Sequence, residues 1–131
     1  ATCCYCLLNM ETMDMTFARA GHPYPILLRN GRQPEQLEAR GSLLGVFENA
    51  EFIEETIRLE QGDKLLLYSD GAEPFIGTFY DQRGFEYTDT FREIAGHDII
   101  ELLDKFNSIA QNTPANPDEV DDITLVGFEV L

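Results

Sequence analysis
The sequence predicts an α+β protein: a β-meander, a helical excursion and a returning strand. Three observations lead there. Short apolar or alternating segments fill roughly the first two thirds of the 131 residues. The period then lengthens to that of an amphipathic helix between Ile99 and Ala110. Alternation resumes at Ile123 and runs to Leu131.

The elements follow in chain order. Cys3 to Leu8 is a continuous apolar run, the pattern of a strand buried on both faces. Asn9 to Asp14 is a polar turn. Met15 to Ala20 alternates, with Met15, Phe17 and Arg19 on one side. Tyr24 to Arg29 is a further short run. Asn30-Gly31 behind it is a hairpin dipeptide, because both residues tolerate positive φ. Phe52 to Leu59 alternates, Gln61-Gly62-Asp63 turns the chain, and Lys64 to Tyr68 is a dense apolar strand.

Thr90 with Glu93 predicts a capped short helix ending at Gly96, and Asp98 with Glu101 predicts a second. Ile99, Leu102, Leu103, Phe106, Ile109 and Ala110 give the second helix one apolar face. Thr113-Pro114-Ala115-Asn116-Pro117 stops it, since proline lacks an amide proton and restricts its predecessor. In the last strand Ile123, Leu125, Gly127 and Glu129 face one way; Thr124, Val126, Phe128 and Val130 face the other.

Composition and charge narrow the function. With 44% apolar and 25% charged residues, the chain reads as one globular domain with one core. Its 9 Lys and Arg against 24 Asp and Glu leave a net charge of −15. Such a chain repels phosphate backbones and anionic bilayers, which excludes nucleic acid and a membrane surface as partners. No apolar run approaches bilayer length, so no membrane insertion is expected. Metal cations and basic partners stay open.

Cys3, Cys4 and Cys6 fall in one run, which is no disulfide framework. No second pair complements the C-x-x-C spacing, and on a strand Cys3 and Cys6 point to opposite faces, so they do not clamp a zinc ion. They read as buried reduced thiols, which suit the cytoplasm. No basic signal-peptide region opens the chain.

Three segments could carry chemistry. Asp70 ends an apolar strand and precedes Gly71, which lets a turn or a ligand come close. That pair is either a turn or a carboxylate placed to hold a cation. Asp121-Asp122 precedes a strand and is either a solvated surface or part of a site for a hard cation such as Mg²⁺ or Mn²⁺. Adjacent residues on a strand face opposite ways, so one of the two would be a ligand and the other a supporting group. His22 lies between Gly21 and Pro23 with no second histidine near it, which argues against a histidine-based zinc site. No Gly-x-Ser-x-Gly, P-loop or dinucleotide-binding glycine motif occurs.

Taken together, these segments resemble the PPM superfamily of metal-dependent serine/threonine protein phosphatases, and more closely its bacterial SpoIIE-like branch. The matching residues are Ala20-Gly21-His22-Pro23, Leu44-Gly45-Val46, Gly62-Asp63 leading through an apolar strand to Tyr68-Ser69-Asp70-Gly71, and Asp121-Asp122-Ile123-Thr124-Leu125-Val126. Their order and spacing span nearly the whole chain. The resemblance implies an antiparallel β-sandwich flanked by helices, with a binuclear Mn²⁺ or Mg²⁺ centre at one end. It implies that Asp70 and Asp121 are metal ligands that act catalytically through a metal-activated water. Asp122, Gly71 and His22 would support them.

The implied reaction is hydrolysis of phosphoserine or phosphothreonine on a regulatory protein, such as an anti-sigma factor antagonist, under control of an upstream sensor domain. No protein nucleophile is required, in keeping with the absence of a Ser/His or Cys/His constellation.

The sequence departs from this pattern in two places. The branch carries its first metal-binding Asp in an N-terminal Asp-Gly motif, and no such segment precedes Ala1. The chain is therefore expected to be the C-terminal part of the domain, incomplete at its N-terminus. After Asp70-Gly71 stands Ala72-Glu73-Pro74 in place of a small pair and Glu. The competing reading is a non-catalytic or degenerate phosphatase-like module that binds a protein partner. A truncated sheet edge would also favour pairing with a second copy, giving a homodimer.

Overall fold
The computed structural model describes residues 1–113 and 121–131. In chain order the strands are β1 (Cys3–Leu8), β2 (Asp14–Ala20), β3 (Ile26–Leu28), β4 (Glu35–Gln36), β5 (Glu55–Arg58) and β6 (Lys64–Tyr68). A 3-10 turn (Asp70–Ala72) and α1 (Glu73–Ile76) lead to the hairpin β7 (Gly77–Tyr80) and β8 (Gly84–Tyr87). Helices α2 (Asp89–Ile94) and α3 (Ile99–Asn112) and strand β9 (Leu125–Glu129) follow.

Two antiparallel sheets, in the orders β1-β2-β5 and β4-β3-β6-β9, face each other. Alternation along the strands builds a core on each side of the second sheet. Leu27 and Leu65 are register partners and point toward the first sheet. There they meet Met15 and Phe17 of β2, with Leu37, Ala39 and Leu59 closing the layer. Ile26, Leu28, Leu66 and Tyr68 point the other way and pack on Ile76, Phe91, Ile94, Leu102 and Phe106. Fully burying such a side chain contributes about 1.5–3 kcal/mol, so the helices are held mainly by this layer. The expected antiparallel sandwich is present, with helices on the outer face of the second sheet. No helix among the described residues is long and apolar enough to cross a membrane.

Several local expectations are corrected. β1 is not buried on both faces: among the described residues it pairs with β2 alone, and Tyr5 and Leu7 are 61% and 59% exposed. The cysteines are not buried thiols either, since Cys3 is exposed and Cys4 and Cys6 are half-buried. Asn30-Gly31 does not make a two-residue hairpin. Only Gly31 of the pair takes a positive φ, and the link from β3 to β4 runs from Arg29 to Pro34. The predicted strand from Phe52 shrinks to Glu55–Arg58.

The first helix is capped by Thr88 rather than Thr90, its hydroxyl accepting from the Phe91 amide at 3.0 Å. Starting two residues earlier turns Phe91 and Ile94 inward together, and Phe91 stacks on Tyr87. Asp98 caps α3 as expected, accepting from the Glu101 amide at 2.9 Å. The α3 helix ends at Asn112; the proline stop at Pro114 and Pro117 lies outside the described residues. The β7–β8 hairpin, Gly77–Tyr80 with Gly84–Tyr87, is an element beyond those the sequence pattern predicts.

Candidate functional site
The site forms where β6 ends and the chain approaches β9. Ser69 joins the two segments. Its amide donates to the Thr124 carbonyl at 2.9 Å, its hydroxyl accepts from the Thr124 amide at 2.9 Å, and the same hydroxyl donates to the Asp122 carbonyl at 3.0 Å. Gly71 then passes against the backbone of Asp121 and Asp122. A Cβ at this position would collide with the Asp122 carbonyl oxygen and lie 3.0 Å from its carbon. Glycine is required here for close approach rather than for an unusual φ.

The result sets Asp70 and the Asp121-Asp122 pair on adjoining segments, all three exposed. The Asp70 carboxylate accepts from the Gly71 amide at 3.1 Å, and that of Asp121 accepts from the Asp122 amide at 2.9 Å. Because β9 begins only at Leu125, the alternation expected to divide Asp121 from Asp122 does not apply to them. Glu119 and Val120, immediately before this pair in sequence, lie outside the described residues.

Asp70 also lines a cleft of about 430 Å³ shared with Arg19, His22, Tyr24, Tyr68 and Glu73. His22 Nδ1 lies 2.9 Å from the Pro23 carbonyl. A carbonyl only accepts, so Nδ1 is the donor in this contact. The Tyr68 phenol is pushed up to about 12, chiefly by burial and then by the Glu73 carboxylate. It therefore stays a neutral donor at physiological pH.

The motifs single out His22 and Asp70; the fold adds Arg19, Tyr24, Tyr68, Ser69 and Glu73 to the cleft. Glu73 stood in view only as a departure from the family pattern. Arg19 carried a weak signal, as a cation on the side of β2 shared with Met15 and Phe17.

The donors suit a hard divalent cation in kind, being exposed carboxylate oxygens, of which Asp70 lines the polar cleft. In number they supply part of a coordination shell. Among the described residues no three His, Cys, Asp or Glu side chains converge to hold an ion.

The chain belongs to the SpoIIE family: the family model described as Stage II sporulation protein E matches residues 1–131. No curated protein matches it. Among solved structures, the RsbU and RsbW domains of a Mycobacterium tuberculosis protein are similar at 25% identity and a TM-score of 0.74, over 98% of this chain and 35% of that one. The phosphatase domain of SpoIIE from Bacillus subtilis, soaked in Mn, is similar at 18% identity and a TM-score of 0.67, over 99% and 56%. RsbX in complex with magnesium is similar at 15% identity and a TM-score of 0.64, over 96% and 54%. The last two likenesses establish the fold. The chain thus spans between about a third and a little over half of these relatives.

Proposed function
We propose that the chain is the C-terminal part of a SpoIIE-like phosphatase domain. The intact domain removes phosphate from phosphoserine or phosphothreonine on a regulatory protein such as an anti-sigma factor antagonist. Water is added across the phosphoester: its oxygen bonds to phosphorus, the bond to the side-chain oxygen breaks, and a free hydroxyl and inorganic phosphate result. Asp70 and Asp121 would hold the divalent cations, Mn²⁺ or Mg²⁺ in a binuclear centre. When bound, these cations make water acidic enough to react near neutral pH and neutralise phosphoryl charge. Gly71 and Asp122 set the position of those carboxylates, and His22 borders the cleft that admits the phosphate.

The observation that supports this reading is the contact of Gly71 with the Asp121-Asp122 backbone, which brings together two segments whose aspartates, Asp70 and Asp121, lie 51 positions apart in sequence. Two solved relatives are described with manganese and magnesium, which supports a divalent cation. A cytoplasmic location and an upstream sensor domain complete the proposal.

The test is Mn²⁺-dependent release of phosphate from a phosphoserine protein by the parent protein. Asp70→Asn and Asp121→Asn should each lower it about a hundredfold or more. Unchanged activity in both overturns the assignment.

A second reading, a non-catalytic module that docks a protein partner, is favoured by the lack of a three-residue metal cluster among the described residues. Calorimetric titration of Mn²⁺ separates the two: tight two-site binding by the chain contradicts the module, and its absence supports it for this part of the domain.

A further inference from the structure
The cleft beside Asp70 contains an arginine that the proposed chemistry has not used. Arg19 is the only Lys or Arg among the residues lining it, against two carboxylates, Asp70 and Glu73. Its guanidinium is fixed from three sides. Nε donates to the His22 carbonyl, Nη1 donates to the Ala39 carbonyl at 3.2 Å, and the guanidinium carbon stands 4.1 Å from the centroid of the Tyr24 ring. The backbone below is also held: Gly41 presses on the Arg19 carbonyl where a Cβ would overlap it, and the Gly41 carbonyl accepts from the Gly21 amide at 3.2 Å.

A guanidinium has five N–H donors, and two are committed here. The others have no protein partner among the described residues. None of the ion pairs among those residues includes Arg19. Orienting a long cationic side chain costs rotamer entropy. Here that cost is met by packing and by two carbonyls, and the half-buried side chain lines the cleft. A pre-oriented planar cation of this kind matches a tetrahedral oxyanion.

From this arrangement we infer that Arg19 binds the phosphoryl group, in the substrate and in the released inorganic phosphate. The inference rests on the phosphatase reading and names a phosphate-binding residue for it. In a chain of net charge −15, a dianion entering a cleft bordered by Asp70 and Glu73 needs a local cation, and Arg19 is placed to provide one.

The experiment titrates inorganic phosphate into the chain in the presence of Mn²⁺, and measures kcat and KM of the parent protein on a phosphoserine peptide. Arg19→Gln should weaken phosphate about tenfold or more and raise KM more than it lowers kcat, with Mn²⁺ affinity unchanged. Arg19→Lys keeps the charge but cannot reach both carbonyls, and should retain more phosphate affinity than Arg19→Gln. Phosphate affinity equal to wild type in both variants overturns the inference. So does an equal loss in both that tracks a lowered melting temperature, which would mark Arg19 as a structural tie. A wild-type chain that binds no phosphate overturns it as well. A chain that binds phosphate through Arg19 while the parent protein hydrolyses nothing refutes the phosphatase reading and leaves the anion site standing.

Discussion

Strands β1 and β6 begin from similar material, Cys3-Cys4-Tyr5-Cys6-Leu7-Leu8 and Lys64-Leu65-Leu66-Leu67-Tyr68, yet they occupy opposite environments. β6 lies between β3 and β9, with the first sheet under one face and the helices over the other. Leu65 and Leu66 are 5% and 0% exposed. Even Lys64 is buried there, its ammonium donating to the Ala95 carbonyl at 2.5 Å and to the His97 carbonyl. Among the described residues β1 has one neighbouring strand; it covers one side of the core with Cys6 and Leu8, while Tyr5 and Leu7 face outward. An apolar run states that a strand can be buried twice; its place in the sheet decides whether it is.

The contrast can be broken most severely at Leu66. Leu66→Ala opens a cavity between the second sheet and α3 and should cost about 3 kcal/mol, read as a lower denaturation midpoint. A cost below about 1 kcal/mol would show that the layer relaxes into the space. Gly71→Ala acts at the end of the same strand. Its methyl must displace the Asp122 carbonyl, so it should cost about 1–3 kcal/mol and weaken Mn²⁺ binding beyond what the stability loss explains. Calorimetry on the folded variant checks this, and unchanged Mn²⁺ affinity would separate the Gly71 contact from the metal centre. The smallest effect belongs to β1: Leu7→Ser should change stability by no more than about 0.5 kcal/mol. Leu7 at 59% exposure against Leu66 at 0% thus sharpens the comparison.

The fold was legible where local chemistry and packing agree. The α3 helix was read from its cap and its apolar face because Asp98 and the Ile99–Ala110 periodicity indicate the same boundaries. The α2 helix was misplaced because Thr90 with Glu93 makes a plausible cap, whereas burying Phe91 and Ile94 requires the turn at Thr88. Asn30-Gly31 suggested a tight hairpin, but β3 is followed by a wider loop whose Arg29 donates to the Arg58 carbonyl at 2.6 Å and pairs with the buried Asp63 at 3.3 Å. Such cross-chain ties leave no periodic trace in the sequence. The candidate site was legible as separate motifs. Asp70, Asp121 and His22 could be named singly, but neither the glycine contact nor the arginine that shares the cleft with Asp70 and His22 leaves a trace in the spacing.

The sequence by itself determined the class of elements, the helical face of α3, the acidic balance and the ordered motifs of the SpoIIE family, since these depend on residue type and short-range spacing. Tertiary structure alone decided which apolar strand became an edge and which residue began α2. It also decided that Gly71 meets Asp122 and that Arg19 shares a cleft with Asp70. Those outcomes depend on pairing between segments far apart in the chain. A carbonyl or an aromatic ring becomes a partner only once the sheets have brought it within a few ångströms.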